Sequence, residues 1–193
     1  MNDLVEVDRA EIHILVDNAT DGLSSTPINV EGEFAFQNRR GLRASSDRCL
    51  CCAVHGLSCL VTVERGSTRH AVLFDSGPEE YAFERNTTRL GVELGDVEGI
   101  VLSHGHWDHA GAMRLALQRI RGGNGGRTVP FHVHPGMFRQ RGVRLPDGGV
   151  RLMDDVPSIA ELEGLGAEIV STTAPQHLLD DMQRNVNTLA SLW

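Results

Sequence analysis

Three imidazoles and one carboxylate fall within six consecutive positions, at His104, His106, Asp108 and His109 of the segment Ser103-His104-Gly105-His106-Trp107-Asp108-His109-Ala110-Gly111. Neutral imidazole nitrogens and carboxylate oxygens bind zinc at about 2.0 to 2.2 Å, so these residue types suit a metal site. Histidines two apart in an extended segment point the same way, which places His104 and His106 to share one ion. Asp108 and His109 fall where the chain turns into a helix, within reach of a second ion about 3.5 to 4 Å from the first. Metal-bound water has a pKa near 7 instead of about 15.7, so such a site would supply hydroxide at neutral pH for attack on an ester, amide or phosphoester. Asp108 is the candidate catalytic residue, holding metal and orienting that nucleophile. The pattern H-x-H-x-D-H would arise by chance on the order of once in a thousand chains of this composition. The competing reading, a solvated His-rich turn, does not explain why the four residues follow an apolar strand and precede an amphipathic helix.

The elements around this segment read as alternating β and α. Glu11 to Val16 alternates polar and apolar residues as a half-buried strand does, and Asp17 to Gly22 ends it with turn formers. Leu23 to Asp47 shows little periodicity and is interrupted by Pro27, Gly32 and Gly41, which predicts a long loop. Leu57 to Glu64 and His70 to Asp75 read as a β-hairpin, Tyr81 to Gly91 as a short helix, and Ile100 to Leu102 as a buried strand leading into the motif. Ala110, Met113, Leu117 and Ile120 recur at helical spacing, predicting a helix from Ala110 to Arg121 with Gly122 at its C-cap. Gly105 leaves room between two ligands, and Gly111 lets the helix start pack against the site. The glycine-rich run Gly122 to Gly126 lacks the Lys-Ser/Thr ending of a phosphate-binding loop and reads as a connector. Val129 to His134 predicts a strand, Ser158 to Leu165 a helix and Ala167 to Ser171 a strand.

Other histidines are weaker candidates. His55, before Gly56-Leu57-Ser58, either borders the pocket or is structural. His132 and His134 fall on one face of the later strand, and Pro135 after them marks an ordinary strand end. His13 and His70 read as strand residues, and His177 as a solvent-exposed one. Cys49, Cys51, Cys52 and Cys59 lie within eleven positions with no second half of a zinc site, which in a reducing compartment predicts free thiols.

Composition narrows the class. The chain has 193 residues, 40% hydrophobic and 23% charged, the profile of one soluble domain. All 18 basic residues are arginine, a codon or genome bias with no chemical requirement behind it. A net charge of −8 and the absence of a basic run interleaved with aromatics argue against nucleic acid as a partner. No stretch approaches the roughly 18 apolar residues of a membrane helix, and Met1 to Asp8 carries three acids where a signal peptide would be basic. The expectation is a cytoplasmic protein with a small-molecule substrate, no nucleic-acid or membrane partner, and scope for a homodimer.

SHGHWDHAG resembles the H-x-H-x-D-H signature of the metallo-β-lactamase superfamily, whose fold is an αββα sandwich of α/β (α+β) class. His70 to Gly77 (HAVLFDSG) resembles the superfamily's strand ending in Asp and Gly, and the resemblance gives Asp75 the role of supporting the metal loop from behind. VHGLSCLVTVE, LFDSGPE, the Asn of FERNTTRLGVEL and IVLSHGHWDHAGAM resemble, more narrowly, the subfamily named for a dihydropterin ribofuranosyl-aminobenzene phosphate synthase. The likeness runs from about Glu11 to Met182. It implies a zinc-dependent hydrolase with one or two ions, iron or manganese being alternatives, acting on a small phosphorylated or heterocyclic substrate.

In that subfamily the stretch resembling Ala174 to Leu178 leads into a Gly-Glu-Ile-Pro-Arg segment and later a Cys-Ser-His element that supplies another ligand. Here the chain continues from Gln183 to Trp193 with neither. The expectation is one domain over residues 1–193 holding the N-terminal portion of the sandwich, with an atypical tail at 183–193. A rival reading follows: an inactive, truncated fragment that needs a partner chain to complete the fold. A third keeps the fold and uses iron for redox chemistry.

Overall fold

The computed structural model describes residues 6–22, 24–41, 50–153, 156–174 and 178. Its centre is a six-stranded mixed sheet of order β1-β2-β3-β4-β5-β8, in which β1 is Arg9–Val16, β2 Ser58–Arg65, β3 Thr68–Phe74, β4 Val97–Val101, β5 Val129–Val133 and β8 Ala167–Ser171. The first three strands pair antiparallel, and β3, β4, β5 and β8 run parallel. The hairpin between β2 and β3 turns tightly at Gly66, whose φ of 60° suits a residue without Cβ. A separate hairpin, β6 (Gly142–Arg144) with β7 (Val150–Leu152), follows β5.

One face of the sheet carries the core. Cross-strand neighbours Leu60, Leu73, Ile100 and Phe131 form a row, none more than 3% exposed. Against it pack Phe83 of α2 (Glu80–Leu90), Met113, Leu117 and Ile120 of α4 (Met113–Gly123) and Leu162 of α5 (Ile159–Gly164). Each such side chain, fully buried, contributes about 1.5 to 3 kcal/mol. A register shift between Ile14 and Val16 turns both Leu15 and Val16 into this core. The opposite face is also apolar: Ile14, Cys59, Phe74, Val101, His132 and Val170 lie in one register row. Ile12 and Ile14 at its β1 edge are 54% and 49% exposed.

The expected loop between Leu23 and Asp47 contains a helix, α1 (Glu33–Arg39). What holds it is tertiary: the buried Gln37 donates from Nε2 to the Arg89 carbonyl, and the Phe36 ring meets His13 edge-on at 5.6 Å. The expected continuous helix from Ala110 is two, because α3 (Trp107–Ala110) ends where the Ala112 N–H turns to the Gly77 carbonyl. Its successor α4 runs one residue past Gly122 and is capped at Asn124. The hairpin of β6 and β7 was not expected. The remaining elements fall within a few residues of their expected positions. Cys51, Cys52 and Cys59 are free thiols, while Cys49 and His177 lie outside the described residues.

Candidate metal centre

In open α/β sheets ligands bind beyond the carboxyl ends of the parallel strands, and the chemistry-bearing residues gather there. Asp75 follows β3, and Ser103 to His106 follow β4. The loop after β4 is tied down on both sides: the Leu102 N–H donates to the His132 carbonyl and the Asp75 N–H to the Val101 carbonyl. His106 is the extended residue before α3, so Asp108 and His109 project from the first turn of that helix. Gly105 passes so close to Met137 that a Cβ there would lie 2.0 Å from its carbonyl oxygen, and a Cβ on Gly111 would lie 1.8 Å from that of Pro78. Both glycines therefore serve close backbone approach.

The donor atoms converge. His104 Nε2 lies 3.0 Å from His106 Nδ1, and each of His104, His106 and Asp108 offers an atom within 4.8 Å of the other two. His109 Nε2 lies 3.6 Å from Asp108 Oδ2, and its ring centroid is 4.1 Å from that of His104. Behind them sits the wholly buried Asp75. Its Oδ1 accepts from the Ser103 N–H at 2.8 Å, and its Oδ2 accepts from the Ser103 hydroxyl and from His109 Nδ1, both at 2.7 Å. The Ser103 Oγ, its proton directed to Asp75, is left to accept from His104 Nδ1 at 3.0 Å. That chain of bonds makes Nδ1–H the tautomer of both His104 and His109 and leaves each Nε2 with a lone pair facing the cluster.

Protonation follows the same pattern. Burial pushes the His104 pKa below its ordinary value, and neighbouring His109 and His106 add to this against the pull of Asp75 and Asp108. Burial would lower His109 too, but the hydrogen bond and charge of Asp75, with Asp108, outweigh it and raise the pKa. The 3.0 Å contact between His104 Nε2 and His106 Nδ1 takes either the Nδ1–H of a neutral His106 or a cation, and ligand atoms of these two imidazoles and of the Asp108 carboxylate lie within 4.8 Å of one another. The donor set therefore fits a metal ion.

Of the other histidines, His55 brings Nε2 to 3.3 Å from Asp108 Oδ2 while its side chain is 72% exposed. His132 is half-buried on β5 with neither ring nitrogen hydrogen-bonded among the described residues, and His134 accepts from the Gly136 N–H. His70 pairs with Glu98 at 2.8 Å between β3 and β4, and His13 packs on Phe36, so both are structural. Ser103 was missed as a functional residue; a hydroxyl at a strand end directly before a ligand was the signal. A cavity of about 630 Å³ opens beside His106 and Trp107, walled by Phe138, Met153, Val156 and Ile159. Of its arginines, Arg114 pairs with Glu161 and Arg141 is spent on the carbonyls of Gly136, Met137 and Arg139. Among the described residues the Arg139 guanidinium has no such partner.

The family model of the metallo-beta-lactamase superfamily matches residues 56–178, and the chain belongs to that superfamily. It is 29% identical over 85 residues to the 7,8-dihydropterin-6-methyl-4-(beta-D-ribofuranosyl)-aminobenzene-5'-phosphate synthase of Methanocaldococcus jannaschii, a match covering 44% of this chain and 27% of that protein. Among solved structures, it is similar to a subclass B3 metallo-beta-lactamase from a soil metagenome, at 22% identity and a TM-score of 0.35 over 63% of this chain and 42% of the other. A native metallo-beta-lactamase of Legionella gormanii is similar at 17% identity and a TM-score of 0.33, over 61% of this chain and 41% of the other. Among the described residues no helix is long and apolar enough to cross a membrane.

Proposed function

We propose that this chain is a zinc-dependent hydrolase of a small anionic ester or phosphoester, with His104, His106, Asp108 and His109 as its metal ligands. The observation that carries this reading is the 3.0 Å approach of His104 Nε2 to His106 Nδ1, with Asp108 beside them and both His104 and His109 oriented through Asp75. A zinc ion held there would act as a Lewis acid and bring the pKa of water to about 7. Asp108 Oδ2 is the atom placed to accept a proton from the attacking water and to hold it in line. Trp107 and Phe138 line the cavity beside the cluster. Arg139 lines that cavity and has no ion-pair partner among the described residues, which suits a phosphate or carboxylate on the substrate. The name of the Methanocaldococcus relative, an aminobenzene phosphate synthase, agrees with a phosphorylated aromatic substrate. The test is hydrolysis of generic phosphodiesters and lactones by the purified chain, before and after chelation. Activity lost to chelator and restored by zinc supports the reading; activity indifferent to chelation contradicts it.

A second reading, a chain inactive until a partner chain completes its fold, is favoured by Ile12 and Ile14 lying open on an apolar sheet face. A stable monomer with full metal-dependent activity would rule it out.

A further inference from the structure

The face of the sheet turned away from α2, α4 and α5 is covered unevenly. Strand alternation and register place Ile12 and Ile14 of β1 on it together with Val63 of β2, Val72 of β3 and Val101 of β4. Val63 and Val72 are 7% and 3% exposed, whereas Ile12 and Ile14 are 54% and 49% exposed. What lies over the middle of the face is Leu178, which packs with Val101 against Val63 and Val72. Its carbonyl oxygen comes so near β4 that a Cβ on Gly99 would lie 3.9 Å away. The chain that leaves β8 at Ser171 therefore stands, by Leu178, on the apolar face opposite the helices.

Residues 179–193 follow, and they lie outside the described residues. Their sequence carries its own pattern. At about 100° per residue, Leu179, Met182, Val186, Leu189, Leu192 and Trp193 share with Leu178 an arc of about 140°, while Asp180, Arg184, Asn187 and Ser191 fall on the opposite side. No glycine or proline interrupts the run, and Asp180 and Asp181 open it where the helix dipole favours acids. We propose that residues 179–193 form an amphipathic helix seated on this face, running from Leu178 toward β1 and covering Ile12 and Ile14. Two strand spacings separate β3 from β1, about 10 Å, and a helix over 179–193 is about 22 Å long. The reach is ample. A helix of this length is marginal in water unless its apolar stripe is buried, and the open isoleucines supply the surface that buries it. The cover is independent of the metal centre, and a face closed by its own chain needs no partner to shield it.

The chain has two tryptophans, so Trp107→Phe leaves Trp193 as the sole indole, and acrylamide quenching of its fluorescence in the whole 193-residue chain is the test. Quenching is expected to be several-fold weaker than in the same chain unfolded in urea, in a monomer by light scattering. Leu189→Asp in the segment and Ile14→Asp on the sheet should each raise it toward the unfolded value, with circular dichroism showing the sheet intact. Ile12→Asp, at the more exposed position, is read the same way should Ile14→Asp not fold. A Trp193 quenched as freely as in urea overturns the proposal and leaves the face to a partner chain. A Trp193 that is shielded but indifferent to both sheet substitutions overturns it too. Shielding that disappears on dilution together with a dimer assigns the face to a second copy and overturns the intramolecular cover.

Discussion

The Nδ1 atom of His109 lies 2.7 Å from Oδ2 of Asp75, a carboxylate with no solvent exposure that also accepts two hydrogen bonds from Ser103. One buried anion thus fixes the orientation of the residues on either side of the loop. Asp75 sits at a φ of 56°, a conformation asparagine also tolerates, so Asp75→Asn keeps the backbone and removes the charge. The expected outcome is a folded protein whose zinc affinity falls by about 10- to 100-fold. Titration with zinc against a competing chelator measures it; unchanged affinity would deny Asp75 its supporting role.

His132 gives the fold a pH dependence of its own. Burial pushes its pKa below the ordinary value of 6.5, and among the described residues neither ring nitrogen has a partner that would offset the charge. The unfolded chain therefore binds a proton more readily than the folded one, so stability is complete above about pH 6.5 and declines as the pH falls toward the lowered native value. His132→Leu, which suits neighbours Val101 and Val170, should be less sensitive to acid than the wild type. Urea unfolding at several pH values between 5 and 8 is the measurement. Equal slopes for both proteins would contradict it.

How much of this was legible in the sequence depends on where the stabilising contacts come from. The strands β1 to β5 and the metal loop were readable because apolar alternation and ligand spacing are local signals. Helix α1 was not, since seven residues make a marginal helix alone and this one depends on Gln37 and Phe36 meeting α2 and β1. The break between α3 and α4 leaves the apolar periodicity intact and is made by a backbone bond from Ala112 to Gly77, thirty-five positions away. The β6 and β7 strands are exposed throughout, so no alternation marks them. At the site, the ligand types could be read, but the hydrogen bonds of Ser103 and the approach of His55 to Asp108 are products of tertiary packing.

Two glycines in neighbouring elements should behave oppositely. Gly122 lies inside α4, and a Cβ added there would meet nothing within 4 Å. Conversion to alanine gains helix propensity, and Gly122→Ala should stabilise by about 0.5 to 1 kcal/mol. Gly111→Ala meets the Pro78 carbonyl and should cost about 1 to 3 kcal/mol. Thermal unfolding of the pair decides this; a shift of the same sign in both would be inconsistent with the packing described.

Helix α5 opens with a capping box. The Ser158 N–H and hydroxyl both donate to Glu161 Oε2, at 2.8 and 2.7 Å, and the Glu161 N–H donates back to Ser158 Oγ at 3.3 Å. Hydrogen bonds from Arg114 and then Ser158 hold the Glu161 carboxyl down at about 2. Ser158→Ala should destabilise by about 1 kcal/mol, read from denaturant unfolding. No change would show that the cap contributes nothing in solution.

Arg139 offers a test of substrate charge. Removing its guanidinium in Arg139→Ala should raise KM for a phosphoester about tenfold or more while leaving KM for a neutral lactone unchanged. Equal effects on both substrates would mean that Arg139 does not recognise an anion.

The central claim is that the imidazoles of the motif converge on a shared cation. X-ray absorption at the zinc edge of the zinc-loaded chain tests it most directly. The account predicts nitrogen scatterers at about 2.0 to 2.1 Å with the outer-shell pattern of imidazole, diminished in His104→Ala and His106→Ala. A folded chain that retains no zinc, or zinc surrounded by oxygen alone and unaffected by either substitution, would contradict it.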